Sequence, residues 1–374
     1  MGIMRDEEEL EKFRNNVREW IEKNVPEEIK NKGDSASVTA LREWQRKVYE
    51  AGYLGVSWPK EYGGWGEDPL KEIIVREEFA KAGLPYANLG LGVSVVGPTI
   101  LLNGTEEQKK KYIKKILTAE NIWCQGFSEP HAGSDLAGIK TKIEDKGDHF
   151  LVNGQKIWSS YAHIADYCLL LGRTGDPSER HKGMTMVIVD MKSEGIKVSP
   201  IRQITGRSEF NTVYFNNVKV PKENLVGKIG EGWKVAMSTL NYERFNIGTI
   251  LFAVERILRD VSKKYSNEQL FNLAEDVVAL RSFYRRLLER IKKGYVVGPE
   301  AAVIKLVASE SIQKAYEIAV SNMGVDALIM ERQAGFNPEF TYGLLASRSI
   351  TIAGGTSEIL RNLLGEVILG MPKG

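Results

Sequence analysis

Apolar residues in the first third of the chain recur at helical spacing. Leu10, Phe13, Val17, Trp20 and Ile21 step by three and four, which predicts an amphipathic helix. A second helix runs through Leu41, Trp44, Val48 and Tyr49 and stops at Gly52; Trp58–Gly64 is a breaker-rich loop before another helix around Ile73–Ala80. From about Asn121 the rhythm shortens. Cys168–Leu171, Met184–Val189, Ile196–Val198 and Thr212–Phe215 are β-rich runs bounded by Gly, Pro, Asn and Asp. Phe150 and Val152, then Asn153-Gly154, then Ile157 and Trp158 predict a hairpin turning at the Asn-Gly pair. Regular spacing of such runs suggests a small antiparallel barrel or sandwich. After Gly227–Gly232 the helical period returns. Leu240, Glu243, Ile247, Ile250, Val254 and Ile257 form one stripe, and Ala301, Ile304, Val307 and Ala308 another. The expected fold is therefore α+β and multidomain: a helical block over 1–120, a β block over 121–227 and a helical block over 228–374.

Composition removes several classes of function. Lysine plus arginine number 51 against 49 acidic residues, and no basic run interleaves with aromatics, so no nucleic-acid footprint is expected. The lysines at 109–111 and 114–115 read as a solvated helix face. Cys124 and Cys168 lie in apolar, strand-like surroundings and match no zinc spacing; with four scattered histidines, no metal site is expected. Both cysteines read as reduced core residues. The acidic start lacks a signal-peptide core and no apolar run has the length of a membrane span, so the expected location is cytoplasmic. Gly90-Leu91-Gly92 has the wrong spacing to Gly97 for a dinucleotide fingerprint, and no P-loop occurs.

Two segments carry the chemistry. Ser128-Glu-Pro-His-Ala-Gly-Ser-Asp135 packs a proline-fixed turn, small residues and two hydroxyls into eight positions, as suits backbone that approaches a large ligand. Asn153-Gly-Gln-Lys-Ile-Trp158 follows it. Either alone is compatible with an ordinary loop or hairpin. In order, inside a helical–β–helical chain, they resemble the flavin- and thioester-binding signature of the acyl-CoA dehydrogenases, and the resemblance covers essentially the whole chain. It implies a helical domain, a β-barrel domain and a C-terminal four-helix bundle, with FAD in the groove between the β and C-terminal blocks. The implied reaction is α,β-desaturation of an acyl-CoA, with electrons passed to an electron-transferring flavoprotein. By position, Gln125, Phe127, Ser128 and Ser134 match the flavin-contacting loop, with Ser134 also near the thioester. Trp158 and Ser160 match the residues that cover and hydrogen-bond the flavin ring, although a strand tryptophan also suits a core. Asn241, Tyr242 and Arg244 match the helix lining the substrate pocket. Gly355, Thr356 and Glu358 match the C-terminal loop near substrate and flavin diphosphate.

Many members of that family place a catalytic glutamate directly before the Gly-Thr of the C-terminal loop. Here the loop reads Ala353-Gly354-Gly355-Thr356, with glycine at that position. The isovaleryl-CoA and long-chain branches instead carry the glutamate on a helix, and Glu243 falls on the matching position. Its place on the apolar stripe predicts a desolvated carboxylate with a raised pKa, suited to a base; a structural glutamate paired with a cation fits the same position. Gly354 keeps a role through its N–H, which the resemblance puts against the thioester carbonyl, and its missing side chain leaves space for a bulkier acyl group. Two motifs that reach a neighbouring subunit's flavin in homotetrameric members are altered here. Ser262–Leu270 lacks the Arg-x-x-Phe-Gly pattern, and Ser321–Ala327 keeps only Gly324 of the Gln-x-x-Gly-Gly pattern. These losses predict a tetramer of α2β2 type in which this chain is the catalytic subunit. The rival readings are an acyl-CoA oxidase and a non-catalytic subunit that completes a partner's flavin site.

Overall fold

The computed structural model describes residues 2–86, 89–247, 249–263, 268–295, 298–329 and 339–372. Its helices are α1 (Gly2–Asn24), α2 (Glu27–Lys32), α3 (Val38–Glu50), α4 (Pro69–Lys81), α5 (Gly97–Asn103), α6 (Glu106–Leu117), α7 (Gly232–Ile247), α8 (Ile250–Ser262), α9 (Glu268–Lys292), α10 (Ala301–Met323), α11 (Glu339–Ser347) and α12 (Ser357–Leu363). Between α6 and α7 lie β1 (Trp123–Gly126), β2 (Lys142–Asp145), β3 (His149–Lys156), β4 (Tyr167–Arg173), β5 (Met184–Asp190), β6 (Ile196–Pro200), β7 (Asn211–Pro221) and β8 (Leu225–Val226). The order is helical, β, helical, as the periodicity predicts. In space the chain divides into two compact units, one from 1–34, 67–86 and 243–374, the other from 35–66 and 87–242.

The first unit is helical. Its core joins Leu251, Val254 and Ile257 of α8 to Leu273, Val277 and Leu280 of α9 and to Ile304, Ala308 and Ile312 of α10. α4 opens on an Asp68 N-cap with Pro69 in its first turn, a start signal readable in sequence. Its buried Glu77 and Glu78 are neutralised rather than left bare: Arg14 reaches both at 2.8 and 2.6 Å, and Arg281 reaches Glu77 at 2.8 Å.

The second unit holds all eight strands in one sheet, ordered β6-β7-β3-β2-β4-β5-β8, with β1 paired to β4. Most pairings are antiparallel, but β1 and β2 run parallel to β4. Met184 to Val189 of β5 are all buried, so this strand shows a continuous apolar run instead of an alternation. Cys124 and Cys168 sit opposite each other in the β1–β4 register, buried and free.

The Asn153-Gly154 pair is not a turn. β3 runs straight through it, paired with β7, and the register slips: Val152 faces Val218 while Gly154 faces Phe215. β7 therefore carries one extra residue, a β-bulge at Asn216-Asn217, where Asn217 is left-handed at φ 53°. The Asn153 side chain locks the bulge, accepting from the Asn217 N–H at 2.8 Å and donating to its side-chain oxygen at 3.1 Å. An Asn-Gly pair signals φ > 0, and here it serves a bulge in place of a hairpin loop. Gly154 (φ 151°) is needed because a Cβ there would lie 2.5 Å from the Thr141 hydroxyl oxygen and 2.7 Å from its Cα.

Alternation along β3 points Phe150, Val152 and Lys156 inward. Lys156 is fully buried, and its ammonium donates to the Phe127 carbonyl and to the Glu129 carboxylate, each at 2.8 Å. Glu129 also accepts the Lys140 and Thr141 N–H groups at 2.7 and 2.8 Å. Burial works to raise the Glu129 carboxyl, but Lys156 and the backbone donors outweigh it and hold it below its ordinary value. Burial dominates at Lys156, drawn down to about 8 despite the carboxylate beside it. The pair thus pins both ends of the Phe127–Glu129 backbone to β3.

Two substitutions test this frame. Gly154→Ala forces a Cβ into immovable Thr141 backbone and should cost about 1–3 kcal/mol by chemical denaturation, without changing the secondary-structure spectrum. Lys156→Met leaves Glu129 buried without its cation and should cost about 3–5 kcal/mol, while adding Glu129→Gln should restore part of the loss.

Candidate functional site

Residues 127–158 all lie in the second unit. The Glu129 and Ala132 backbones exchange hydrogen bonds at 3.0 Å in both directions, closing a tight turn over Pro130-His131. The Ile157 N–H donates to the Ser128 carbonyl at 2.9 Å, tying the first signature segment to the second. Phe127 is buried, Gln125 and Ser128 are half-buried, and Gly133 and Ser134 are exposed. Beyond β3 the chain turns sharply, with Trp158 and Tyr161 both left-handed at φ 61°. A bulky residue with φ > 0 is strained and marks a constrained local geometry. Trp158 is no core residue: its indole is 56% exposed, standing edge-on to Phe210 with ring centroids 6.1 Å apart. Asn211 braces the turn, donating to the Ser159 carbonyl at 3.1 Å and accepting the Ser159 N–H at its own carbonyl at 3.0 Å.

Of the second set, Glu243, Arg244, Gly354, Gly355, Thr356 and Glu358 lie in the first unit, and Asn241 and Tyr242 in the second. α7 ends at Ile247 and α8 begins at Ile250, so the stripe from Leu240 to Ile257 is broken between two helices. Thr249 marks the break, its hydroxyl donating back to the Asn246 carbonyl at 2.7 Å. Glu243 is half-buried rather than seated on a buried stripe, and the side chain of Ile247 lies outside the described residues. The buried neighbour is Arg244, 7% exposed, whose Nε donates to the Gly354 carbonyl at 3.0 Å. One residue on, the Gly355 carbonyl accepts from Lys305 on α10 at 2.6 Å. Gly354 and Gly355 are both left-handed, at φ 69° and 107°. A glutamate at 354 would carry the left-handed penalty of about 1–2 kcal/mol, a physical reason for the loop base to be absent.

Burial lowers the Arg244 pKa and Glu243 opposes the shift. Lys305 is drawn down to about 8, first by burial; Glu243, Glu310 and Glu358 favour its charged form and Arg244 disfavours it. Thr356 caps α12 by accepting the Ile359 N–H at 3.3 Å, leaving its hydroxyl proton to donate elsewhere. Glu358 is exposed in the first turn of α12, where backbone donors and then Thr356 hold its carboxyl below the ordinary value. Those donors are the ones a phosphate would use, so Glu358 competes for that role. Asn241 and Tyr242 are half-buried on α7.

A flavin fits the 127–160 set. The Ser159 hydroxyl and the Asn211 side-chain carbonyl are buried with no hydrogen-bond partner among the described residues, an arrangement that is costly unless a ligand or water satisfies it. Beside them stand an outward aromatic plane at Trp158 and the half-buried Ser160. Among the described residues no group of acidic, histidine or cysteine side chains could hold a metal, and no helix is long and apolar enough to cross a membrane. Glu129, Lys156, Asn211 and Lys305 go unmarked by motif reading. Lys156 and Lys305 were nonetheless detectable as charged residues at inward positions of an alternating strand and a helical stripe.

Comparison with known proteins agrees with this geometry. The chain matches the acyl-CoA dehydrogenase N-terminal domain over 7–120, the middle domain over 124–218 and the C-terminal domain over 230–369. It is 34% identical to acyl-CoA dehydrogenase IpdE1 of Mycolicibacterium smegmatis over 98% of both chains. Among solved structures, the Tcur3481-Tcur3483 steroid ACAD superposes with a TM-score of 0.87 at 29% identity, covering 98% of each chain. The ChsE4-ChsE5 complex from Mycobacterium tuberculosis does so with a TM-score of 0.83 at 28% identity, again over 98% of each. The chain belongs to the acyl-CoA dehydrogenase family and is an oxidoreductase of that class.

Proposed function

We propose that the protein binds FAD and desaturates the α,β bond of an acyl-CoA, with Glu243 as the base. The observation that carries this reading is the Glu243–Arg244–Gly354 arrangement: the one glutamate on the matching helix stands beside an arginine bonded to the loop where the alternative base would lie. Bound flavin would supply the acceptor for the hydride that leaves the β carbon.

The chain's own residues do the rest. Glu243 takes the α proton, and being half-buried it is shielded in part yet open to a ligand. Its charge favours the cationic forms of Arg244 and Lys305, and the same attraction favours the carboxylate needed to accept a proton. The left-handed Gly354 turns its N–H away from the helical ladder, available as a donor to the thioester oxygen as negative charge builds there. Trp158 offers its indole face to the flavin ring, with Ser160, Ser128, Gln125 and the Phe127 backbone around it. Ser134 and Thr356 supply hydroxyls, and Asn241, Tyr242, Arg244 and Gly355 line the acyl side. With glycine at 354 and 355, and a steroid ACAD among the relatives, a bulky acyl group is the favoured substrate.

Electrons then pass to an electron-transferring flavoprotein. The assembly is α2β2, with a related subunit completing the adenine end of the flavin site. Two relatives are named as pairs of chains. Within Ser321–Ala327 the altered motif ends in a 3-10 turn, Gly324–Leu328, on which Val325 and Leu328 are 79% and 82% exposed. Part of the other altered motif, residues 264–267, lies outside the described residues.

Glu243→Gln should lower anaerobic flavin reduction by acyl-CoA by at least about a thousandfold while flavin content stays at the wild-type level. Near-normal rates in that variant would move the base elsewhere. The flavin-to-chain ratio of the protein purified alone, from visible absorbance, should fall well below one and approach one on co-expression with its partner; a fully flavinated homotetramer would sink the α2β2 assignment.

A further inference from the structure

Lys305 is fully buried on α10, between Ile304 and Ala308 of the helix's apolar stripe. Its ammonium makes one hydrogen bond among the described residues, to the Gly355 carbonyl at 2.6 Å. A buried ammonium satisfied by a single neutral acceptor is costly, and a hydrophobic residue would fill the same volume without that cost. The residue is therefore placed for what it does to the loop and to the charges near it. Arg244 binds the preceding carbonyl, of Gly354, from α7. Two cations thus hold two consecutive carbonyls of a glycine pair that would otherwise have wide conformational freedom.

We propose that Lys305 is a positioning residue: it locks the Gly354–Gly355 backbone from the α10 side, and its positive charge keeps the neighbouring Glu243 carboxylate ionised. The inference rests on Glu243 being the base. In each planar peptide the carbonyl and the next residue's N–H point opposite ways, so holding these two carbonyls sets the Gly355 and Thr356 N–H directions and fixes the backbone that carries the Gly354 N–H before substrate arrives. The charged groups around the ammonium are Glu243 and Arg244 from α7, Glu310 from α10 itself and Glu358 from α12; Arg361 pairs with Glu310 at 2.6 Å and draws part of its charge away. Of these, Glu243 and Lys305 form the opposite-charge couple that a proton transfer to Glu243 would alter.

The test uses Lys305→Met, which keeps the length and removes charge and donor. Hydrogen exchange followed by mass spectrometry needs no activity. The 352–358 peptide should exchange at least about tenfold faster, while α10 and α8 peptides stay protected as in wild type. In kinetics, kcat should fall by about ten- to a hundredfold with a smaller change in KM, and the acid limb of kcat/KM should move up by about one pH unit. Lys305→Arg, retaining charge and donors, should keep the acid limb in place. Unchanged loop exchange with an unshifted acid limb overturns the proposal, as does uniform loss of protection across α8 and α10, the mark of a merely structural lysine. If Lys305→Met does not fold, Lys305→Gln decides, because it keeps a donor for the Gly355 carbonyl and removes the charge: loop exchange should stay closer to wild type while the acid limb still moves up, and an unshifted acid limb overturns the proposal. Glu243→Gln retaining turnover with loop exchange still dependent on Lys305 would instead remove the base assignment and leave the loop lock standing.

Discussion

A buried ammonium is costly, and this chain buries two at the segments that carry its chemistry. Lys156 and Lys305 are each fully buried, each bonded to a loop carbonyl and each drawn down to about 8. The two are balanced differently. Lys156 touches a carboxylate that is itself satisfied by two backbone donors, a closed network in which every strong charge has a direct partner. Lys305 has a carbonyl in contact, and Glu243, Glu310 and Glu358 act on it through charge alone, so the proposed proton transfer to Glu243 would alter its surroundings. The first lysine makes a rigid anchor; the second makes a loop that answers to its electrostatic surroundings.

Much of the architecture was legible from periodicity because burial is its cause. The α1 and α3 stripes, the inward face of β4 and the continuous apolar run of β5 are direct records of which positions lose water. The errors came where one local signal has two structural uses. Asn153-Gly154 marks backbone that must approach closely, and a bulge satisfies that requirement as well as a turn does. The stripe from Leu240 to Ile257 keeps its period across a helix break, because two helices joined by a short link can preserve phase. Periodicity cannot see the break, since Thr249 and Asn246 end the ladder through a local hydrogen bond.

Motif reading found the outward residues and passed over the inward ones. Ser134 and Trp158 are exposed and Ser128 is half-buried. Glu129, Lys156 and Asn211 hold the backbone of residues 127–159, and Lys305 holds the Gly355 carbonyl; no motif marks any of the four. A charged residue on an apolar stripe is the sequence trace of such support, legible in Val152-x-x-x-Lys156 and in Ile304-Lys305-x-x-Ala308 once its phase is compared with its neighbours.

The base proposed at Glu243 is consistent with two constraints acting together. Left-handed backbone at Gly354 and Gly355 would strain a glutamate in the loop, which favours a carboxylate supplied from a helix. On α7 the residue after Glu243 is Arg244, and successive helical residues point about 100° apart. Burying the arginine, which must reach the Gly354 carbonyl, necessarily rotates the glutamate to the edge of the core. A fully buried glutamate would be better desolvated but could not meet a substrate. The half-buried position gives up some desolvation for access, and the charges of Arg244 and Lys305 nearby favour the ionised carboxylate that the proposed proton transfer needs.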